Sequence, residues 1–189
     1  MVFYVIENLE PKLSRWVLIE YDWISQNVGK RNIIFTNVKT RFDKLQKSGE
    51  CHDESVSELD FQNGCILDPQ AEKILTPSEA KKFDYFIFGG ILGNNPVEGR
   101  TKKWLTSKME GKCEVRNLGS KQFSTDTAVL VTKMIFDGTP LEKIQFQDPL
   151  IIETGLNEEV ELPYPYVLKN GKPVVAPKLV EMLKKQKGF

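Results

Sequence analysis

Two glycine-bearing segments of the sequence have the composition of ligand-binding loops. Residues 83–96 read FDYFIFGGILGNNP, an apolar run followed by three glycines within five residues, and residues 117–127 read NLGSKQFSTDT. Glycine allows a ligand or another piece of chain to approach the backbone closely. Neither segment is a G-x-G-x-x-G fingerprint or a P-loop. The spacing alone therefore leaves two alternatives, a ligand site or a pair of tight turns after buried strands.

Three carboxylates occupy positions that could carry chemistry. Glu20 falls on the same helical stripe as Trp16 and Ile24, where a charge needs a partner or a function. Glu7 ends the first apolar run, and Asp126 stands at the start of a helical pattern. Each has a structural alternative. Glu20 could extend its carboxylate to solvent, Glu7 could accept hydrogen bonds from loop amides at the end of its strand, and Asp126 could cap its helix.

The only histidine of the chain, His52, follows Cys51 and precedes two acidic residues. No second cluster completes a zinc site, so we expect a polar surface loop and no metal. A single histidine also argues against a Ser-His-Asp or Cys-His hydrolase. The other cysteines, Cys65 and Cys113, are widely spaced, which indicates a reducing compartment and not a disulfide framework.

Charge and hydropathy limit the partners that we expect. Lys plus Arg and Asp plus Glu both number 26 among 189 residues, so no global attraction draws the chain to nucleic acid or to an anionic membrane. No apolar run approaches the roughly 20 residues that cross a bilayer. The amino terminus has neither the basic region nor the cleavage site of a signal peptide. We therefore expect a cytoplasmic protein.

The elements that would position these residues alternate along the chain. Strands, several of them doubly apolar, are predicted over residues 2–8, 32–38, 64–69, 84–90 and 113–119, and helices over 11–29, 76–83, 101–109 and 124–138. This alternation predicts an α/β fold with a mainly parallel sheet and helices on both faces. Asn170-Gly171 then predicts a short hairpin, and residues 177–189 a terminal helix that starts at a proline.

The segments FDYFIFGGILGNNP, GRT and NLGSKQFSTDTA, in this order, resemble the SPOUT-class protein arginine methyltransferase family. YVIENLEP, WVLIEY, CILDP and LPYPYVL extend the likeness over nearly the whole chain. The resemblance implies a methyltransferase domain over residues 1–162 with a deep trefoil knot toward its C-terminal end, a rare exception to unknotted topology. It also implies a C-terminal tail, residues 163–189, that packs on the same domain. The glycine-ended loops would then be knot crossings that enclose a bent cofactor.

The cofactor that this resemblance implies is S-adenosyl-L-methionine, held largely by backbone groups of the two loops. The positions that match the family's cofactor contacts are Leu67, Phe88, Gly89, Gly90, Ile91, Gly93, Leu118, Gly119, Lys121, Gln122, Thr125 and Thr127. Apolar side chains among them would form a slot for the adenine ring, and backbone groups would form hydrogen bonds with its polar edge.

An arginine acceptor needs a carboxylate to orient its guanidinium and to take a proton. Glu20 is the first candidate for this carboxylate because it lies on an apolar helical stripe, followed by Glu7 and Asp126. Arg100 would pair with the cofactor carboxylate or with an acid of the substrate, and an ordinary surface ion pair is its alternative. Trp16 could line the arginine slot through cation–π contact, as could Tyr21 and Trp23, or all three could be core residues.

The sequence departs from the family's pattern at three positions. Asn94 follows GGILG and Gly99 precedes Arg100 where acidic residues are usual, and Asn8 stands after Glu7 where histidine is common. None of these changes affects the glycines of the two loops, but they leave the arrangement of carboxylates around the substrate open.

The expected substrate is a small-subunit ribosomal protein, the third, bound by a monomer that forms no stable complex with nucleic acid. Two alternatives stay open. One is an RNA methyltransferase of the same fold, and the other is a ribosome-associated SPOUT module without catalytic activity.

Overall fold

The computed structural model describes residues 1–92, 99–155 and 158–185. The helices of these ranges are α1 (Arg15–Val28), α2 (Phe42–Leu45), α3 (Pro77–Ala80), α4 (Arg100–Trp104), α5 (Thr125–Phe136) and α6 (Pro177–Lys185). The strands are β1 (Phe3–Asn8), β2 (Ile33–Thr36), β3 (Glu50–Cys51), β4 (Gly64–Leu67), β5 (Tyr85–Gly90), β6 (Glu114–Arg116), β7 (Phe146–Gln147), β8 (Leu150–Gly155), β9 (Glu158–Leu162), β10 (Tyr166–Lys169) and β11 (Lys172–Pro173). Short 3-10 turns cover Lys30–Asn32, Val56–Glu58, Thr106–Met109 and Leu141–Lys143. Within these ranges no helix combines the length and the hydropathy of a membrane span.

The central sheet has the strand order β3-β2-β1-β5-β4-β6, and every neighbouring pair is parallel. The α/β class and the mainly parallel sheet predicted from the sequence are therefore confirmed. Asn8 at the end of β1 pairs with Gly90 at the end of β5, and Leu67 at the end of β4 pairs with Arg116. Both glycine-bearing segments consequently leave the sheet at the same edge, formed by the carboxyl ends of its strands.

The two faces of the sheet pack in separate apolar clusters. Tyr4 and Ile6 of β1 point to one face, where they pack with side chains of the long helices α1 and α5. Val5 points to the other face and packs with Val56 and Met109 of the short turns. The strands β1, β2, β4 and β5 read as apolar runs because both of their faces are buried.

Helix α1 begins at Arg15, later than the start at residue 11 that the sequence pattern predicts, whereas α5 lies within the predicted range of 124–138. The Ser14 side chain caps α1 by accepting a hydrogen bond from the Val17 N–H at 3.2 Å, and Gly29, with φ of 88°, ends the helix. Helix α5 follows Ser124 and stops before Gly138, whose φ is 107°. Their long apolar faces bring α1 and α5 together on one side of the sheet.

The C-terminal part contains a hairpin that the sequence pattern predicts and a second one that it does not. The predicted turn forms between β10 and β11, with Asn170 and Gly171 at φ of 53° and 73°. The second hairpin pairs β8 with β9. Its inward residues, Leu150, Ile152 and Leu162, share a third apolar cluster with α6.

Candidate functional site

A pocket opens at the edge of the sheet where both glycine-bearing segments leave it, and we name it the glycine-loop pocket. Its walls come from the loop after β4, the end of β5, the start of α4 and the segment between β6 and α5. The residues that line it are Leu67, Asp68, Pro69, Gln70, Phe88, Gly89, Ile91, Gly99, Arg100, Thr101, Leu118, Lys121, Gln122, Phe123, Thr125 and Ala128. Crevices beyond the carboxyl ends of parallel strands are where α/β folds bind ligands.

One hydrogen bond joins the two loops of this pocket, and another shapes the second loop. The Thr125 hydroxyl, in the first turn of α5, donates to the Gly89 carbonyl at 3.4 Å. Gly119 has φ of 93°, a conformation that favours glycine, and its N–H donates to Asn117 Oδ1 at 2.8 Å. The end of β5 and the start of α5 therefore form one continuous wall.

Most of the residues predicted to contact the cofactor lie on this pocket. They are Leu67, Phe88, Gly89, Ile91, Leu118, Lys121, Gln122 and Thr125. Gly90, Gly119 and Thr127 do not line it, and Gly93 lies outside the described residues. Asp68 and Gln70 also line this pocket and were not among the predicted residues, although both follow β4 at the carboxyl edge, where the rule for parallel sheets points.

Gly90 faces the interior of the protein. A Cβ at this position would overlap Tyr21 Oη and would lie 2.8 Å from Ile6 Cγ2. The Tyr21 hydroxyl occupies this space and lies 3.3 Å from Asn8 Oδ1, to which it donates. The second glycine of the GG pair is thus required by the packing of α1 against the sheet.

The chemistry of the pocket wall fits a ligand that is partly apolar and carries hydrogen-bond donors. Leu67, Phe88 and Leu118 are almost fully buried apolar residues. The side-chain oxygen of Gln122 is buried without a hydrogen-bond partner among the described residues. A buried acceptor of this kind costs free energy unless a ligand satisfies it.

A second pocket adjoins the first, and we name it the carboxylate pocket. It is lined by Trp16, Glu20, Ile91, Leu92, Ser124, Asp126, Val160, Glu161, Leu162, Pro163, Tyr164, Tyr166, Leu179 and Leu183. Ile91 lines both pockets. The first turn of α5 also separates them, since Thr125 lines the glycine-loop pocket and Asp126 the carboxylate pocket.

Glu20 and Asp126 form the polar centre of the carboxylate pocket. Their residues are only 6% and 7% exposed. The Asp126 N–H donates to Glu20 Oε1 at 3.3 Å. Asp126 Oδ1 accepts from the Ser124 hydroxyl at 2.6 Å and from the Thr127 N–H at 2.9 Å. Neither carboxylate has an ion-pair partner within the described ranges.

Burial shifts the acidity of this pair. Removal from water raises the pKa of Glu20 well above its ordinary value, and repulsion from the Asp126 carboxylate raises it further. Burial also raises the pKa of Asp126, although the hydrogen bonds from Ser124 and Thr127 oppose this shift. Proton loss from this pair is therefore harder than from exposed carboxyl groups, and a cation bound beside it would favour the ionised form.

The structure gives the remaining carboxylate candidate, Glu7, a structural role. It points to the opposite face of the sheet from α1, where Thr36 Oγ1 and the Val56 N–H donate to Oε2 at 2.6 and 2.9 Å. The Ser55 hydroxyl donates to Oε1 at 2.7 Å. Glu7 lines neither pocket. The oxygens of Glu7 thus hold the 55–58 turn, because a buried carboxylate needs such donors, and a catalytic role for Glu7 stays a prediction.

Arg100 lies on the glycine-loop pocket at the first position of α4. Its guanidinium donates to the Leu92 carbonyl and lies 5.9 Å from the centre of the Trp104 ring. Burial raises the pKa of Tyr164, and the nearby positive charge of Arg100 partly offsets that rise. Arg100 thus stands between the two pockets.

The aromatic residues on the carboxylate pocket are partly those expected from the sequence. Trp16 lines it, together with Tyr164 and Tyr166 from the tail. The ring of Tyr21 instead stacks on Phe35 with centroids 5.1 Å apart, and Trp23 packs in the third apolar cluster. A pocket with aromatic walls and two carboxylates suits a planar cation such as a guanidinium.

His52 directly follows the edge strand β3 of the central sheet, where the sequence predicted a surface loop, and it is partly exposed. His52 Nε2 lies 2.8 Å from Glu50 Oε1. In the part of the chain that the structure describes, no group of three histidine, cysteine or acidic side chains is arranged to hold a metal ion.

Comparison with known proteins gives consistent matches over the whole chain. The family model described as "Protein arginine N-methyltransferase SFM1-like" matches residues 3–188. The Saccharomyces cerevisiae protein arginine N-methyltransferase SFM1 is 36% identical over 201 residues, covering 96% of this chain and 94% of the yeast protein.

Solved structures extend these matches to the fold. The yeast arginine methyltransferase SFM1 complexed with SAM superimposes with a TM-score of 0.89 at 34% identity, covering 97% of this chain and 90% of the yeast chain. Its complex with SAH gives the same TM-score and identity, with 96% and 94% coverage. The dual-specific Trm10 from Thermococcus kodakaraensis matches at a TM-score of 0.59 and 17% identity, over 76% of this chain and 96% of that one. This last match shows the likeness of the SPOUT-type fold alone.

Proposed function

Because this chain belongs to the SFM1-like family of protein arginine N-methyltransferases and is an S-adenosylmethionine-dependent enzyme, we propose that it methylates an arginine of a ribosomal protein. The expected target is the third protein of the small subunit, in the cytoplasm. The buried carboxylates of Glu20 and Asp126 support an arginine as the substrate. Neither forms an ion pair with a lysine or arginine among the described residues. Such a pair favours binding of a positive charge.

The cofactor is assigned to the glycine-loop pocket. Leu67, Phe88 and Leu118 would hold the adenosine portion, and the buried oxygen of Gln122 would accept a hydrogen bond from an amino group. Backbone groups at Gly89 and Thr125 would complete the site. When bound, S-adenosylmethionine supplies an electrophilic methyl group on its sulfonium.

The substrate arginine is assigned to the carboxylate pocket. Glu20 and Asp126 would orient the guanidinium toward the boundary at Ile91, where the two pockets meet. A guanidinium stays protonated in water, so a nitrogen that gains a methyl group must lose a proton. The raised pKa of the carboxyl pair suits it to receive that proton.

The finer topology and the oligomeric state are also part of the proposal. We infer a trefoil knot whose crossings are the two glycine-bearing loops, and the hydrogen bond from Thr125 to Gly89 supports their close approach. We further infer a monomer in which the tail over residues 163–189 covers the surface that many SPOUT enzymes use to dimerise. The packing of α6 with α1 side chains supports this inference.

A transfer experiment tests the substrate directly. The protein is incubated with methyl-labelled cofactor and ribosomal subunits, after which protein and RNA are separated. We expect the label in one small-subunit protein, on an arginine identified by mass spectrometry. Label in RNA would contradict the protein substrate. Cofactor binding with no label in either fraction would instead indicate a module that has lost its chemistry.

Replacing Gln122 by methionine tests the cofactor site through two independent measurements. The substitution keeps the shape of the side chain and removes the buried oxygen that has no partner in the described part of the chain. We expect affinity for S-adenosylmethionine to fall about ten-fold by calorimetry, since one hydrogen bond is lost. The melting temperature without cofactor should hold or rise.

The control for this substitution is Gln62→Met, at an exposed loop position away from the pocket. It should leave cofactor affinity unchanged. A Gln122→Met protein that melts early and binds the cofactor normally would assign Gln122 a structural role only.

A further inference from the structure

The hairpin formed by β8 and β9 presents a row of glutamates on its outer face. Strand alternation places Leu150, Ile152 and Leu162 inward, whereas Glu153, Glu159 and Glu161 are exposed. Residues 150–162 contain four glutamates and no lysine or arginine. One side of the hairpin is therefore uniformly negative.

The pairing of the two strands intensifies this charge. Glu153 lies directly opposite Glu159 in the antiparallel register, and like charges in such a cross-strand pair destabilise a hairpin. None of the glutamates on this hairpin forms an ion pair with another described residue. Ile151, opposite Glu161, is 37% exposed on the same face. A positively charged partner would offset the repulsion.

The row of glutamates continues into the carboxylate pocket. Glu161 lines that pocket, as do Val160 and Leu162 from the same strand. At the inner end of the pocket, the Glu20 and Asp126 carboxylates are more than nine-tenths buried and have no countercharge within the described residues. Negative charge thus runs from the buried carboxylates, past Glu161, to Glu159 and Glu153.

We propose that the outer face of this hairpin binds a lysine or arginine of the substrate polypeptide that lies two or three residues from the methylated arginine. This inference rests on the proposed function, since it places the target arginine in the carboxylate pocket. The spacing follows from strand geometry: Glu161 and Glu159 are two residues apart, about 7 Å along the strand. An extended substrate segment has nearly the same rise per residue, so its second cation reaches Glu159 and Glu153.

The charge of the hairpin also selects between classes of substrate. A row of glutamates repels phosphates, so this face disfavours an RNA strand and favours a basic polypeptide. The acidic face is also expected to disfavour protein segments in which the neighbours of the arginine are acidic.

The test compares two nine-residue peptides with a central arginine. One carries lysine at the second and third positions on both sides of the arginine, and the other carries glutamine there. Binding to the cofactor-loaded protein is measured by fluorescence anisotropy, and methyl transfer is measured separately with labelled cofactor. We expect the lysine peptide to bind about ten-fold more tightly at low salt, because two exposed ion pairs form. The difference should shrink as salt is added.

The variant Glu153→Gln/Glu159→Gln removes the opposing pair of charges. We expect it to abolish the preference for the lysine peptide, to raise KM for that peptide and not for the glutamine peptide, and to leave kcat unchanged. Its melting temperature should hold or rise, since a repulsive pair is gone. The matched control is Glu72→Gln/Glu110→Gln, two exposed glutamates outside both pockets, which should keep the preference.

The outcomes separate this inference from the proposed function. Equal binding and equal methylation of both peptides would overturn the inference and leave the function intact. A lysine preference that depends on Glu153 and Glu159, without methylation of either peptide, would support the inference and count against the function. A lysine preference retained by the Glu153→Gln/Glu159→Gln variant would also overturn the inference. Failure to bind or methylate either peptide would count against both the inference and the proposed function.

Discussion

Replacing Glu20 by glutamine is expected to lower the rate of arginine methylation by roughly 100-fold or more, the usual scale for losing a positioned acid or base. The substitution keeps the shape of the side chain and its ability to accept from the Asp126 N–H. It removes a charge that would orient the guanidinium and a site that would take its proton. Affinity for S-adenosylmethionine should be nearly unchanged, because Glu20 does not line the glycine-loop pocket.

Stability gives a second measurement on the same sample. Below pH 4.5, the ordinary pKa of glutamate, Glu20 is protonated in both the folded and the unfolded chain. As the pH rises from there toward the raised pKa of the folded state, only the unfolded chain releases the proton, so wild-type stability falls. The Glu20→Gln variant has no ionisable group at this position, so its stability does not fall in this way. We expect its melting temperature to match the wild type in acid and to equal or exceed it at neutral pH.

Glu7 provides the matched control, as a second buried glutamate whose oxygens are fully hydrogen-bonded. Glu7→Gln should lower the melting temperature, because a charged acceptor of three hydrogen bonds is lost. The folded fraction should keep its methylation rate. The catalytic assignment of Glu20 would be wrong if its glutamine variant behaved like this control, melting early with full activity in what remains folded.

Gly90→Ala is expected to destabilise the protein by about 2–3 kcal/mol, as overpacked interiors do. The added Cβ would overlap Tyr21 Oη and would lie 3.0 Å from the Glu7 carbonyl oxygen, and the backbone can yield little inside paired strands. The melting temperature should fall by roughly 5–10 °C for a chain of this size. Thermal and urea denaturation without cofactor measure the loss.

Two comparisons identify the cause of that loss. Gly89→Ala is the neighbouring control, whose Cβ would meet Leu9 Cδ1 at 3.4 Å, an ordinary contact, so its stability should change much less. Tyr21→Phe removes the hydroxyl that occupies the space beside Gly90. The double variant should therefore be more stable than the sum of the single effects predicts. Strict additivity would show that Tyr21 is not the obstacle.

The sequence predicted helices and strands correctly where a local pattern of residues and the fold agree. Residues 15–28 carry an apolar stripe between Ser14 and Gly29, and the structure forms α1 there. The strands β1, β2, β4 and β5 read as apolar runs because helices or turns cover both of their faces. The carboxyl-edge rule made both glycine-bearing loops candidates for a ligand site, and the structure brings both to one pocket.

The parts that could not be predicted depend on contacts between distant segments. The reason for the second glycine of the GG pair is Tyr21, which no spacing in residues 83–96 reveals. Glu7 looked like a catalytic candidate, and only the donors at Thr36, Ser55 and Val56 show its structural role. The hairpin of β8 and β9 was missed, although its alternation of buried and exposed residues has the period of a strand.

The separate packing of this hairpin has a consequence for how the family can diversify. Its inward residues belong to the cluster with α6, whereas the walls of the glycine-loop pocket rest on the clusters of the central sheet. Substitutions on the outer face of β8 and β9 therefore leave the sheet and its carboxyl edge untouched. If this face binds substrate as proposed, substitutions at Glu153 and Glu159 can alter the polypeptides that the enzyme favours without changing the residues that line the glycine-loop pocket.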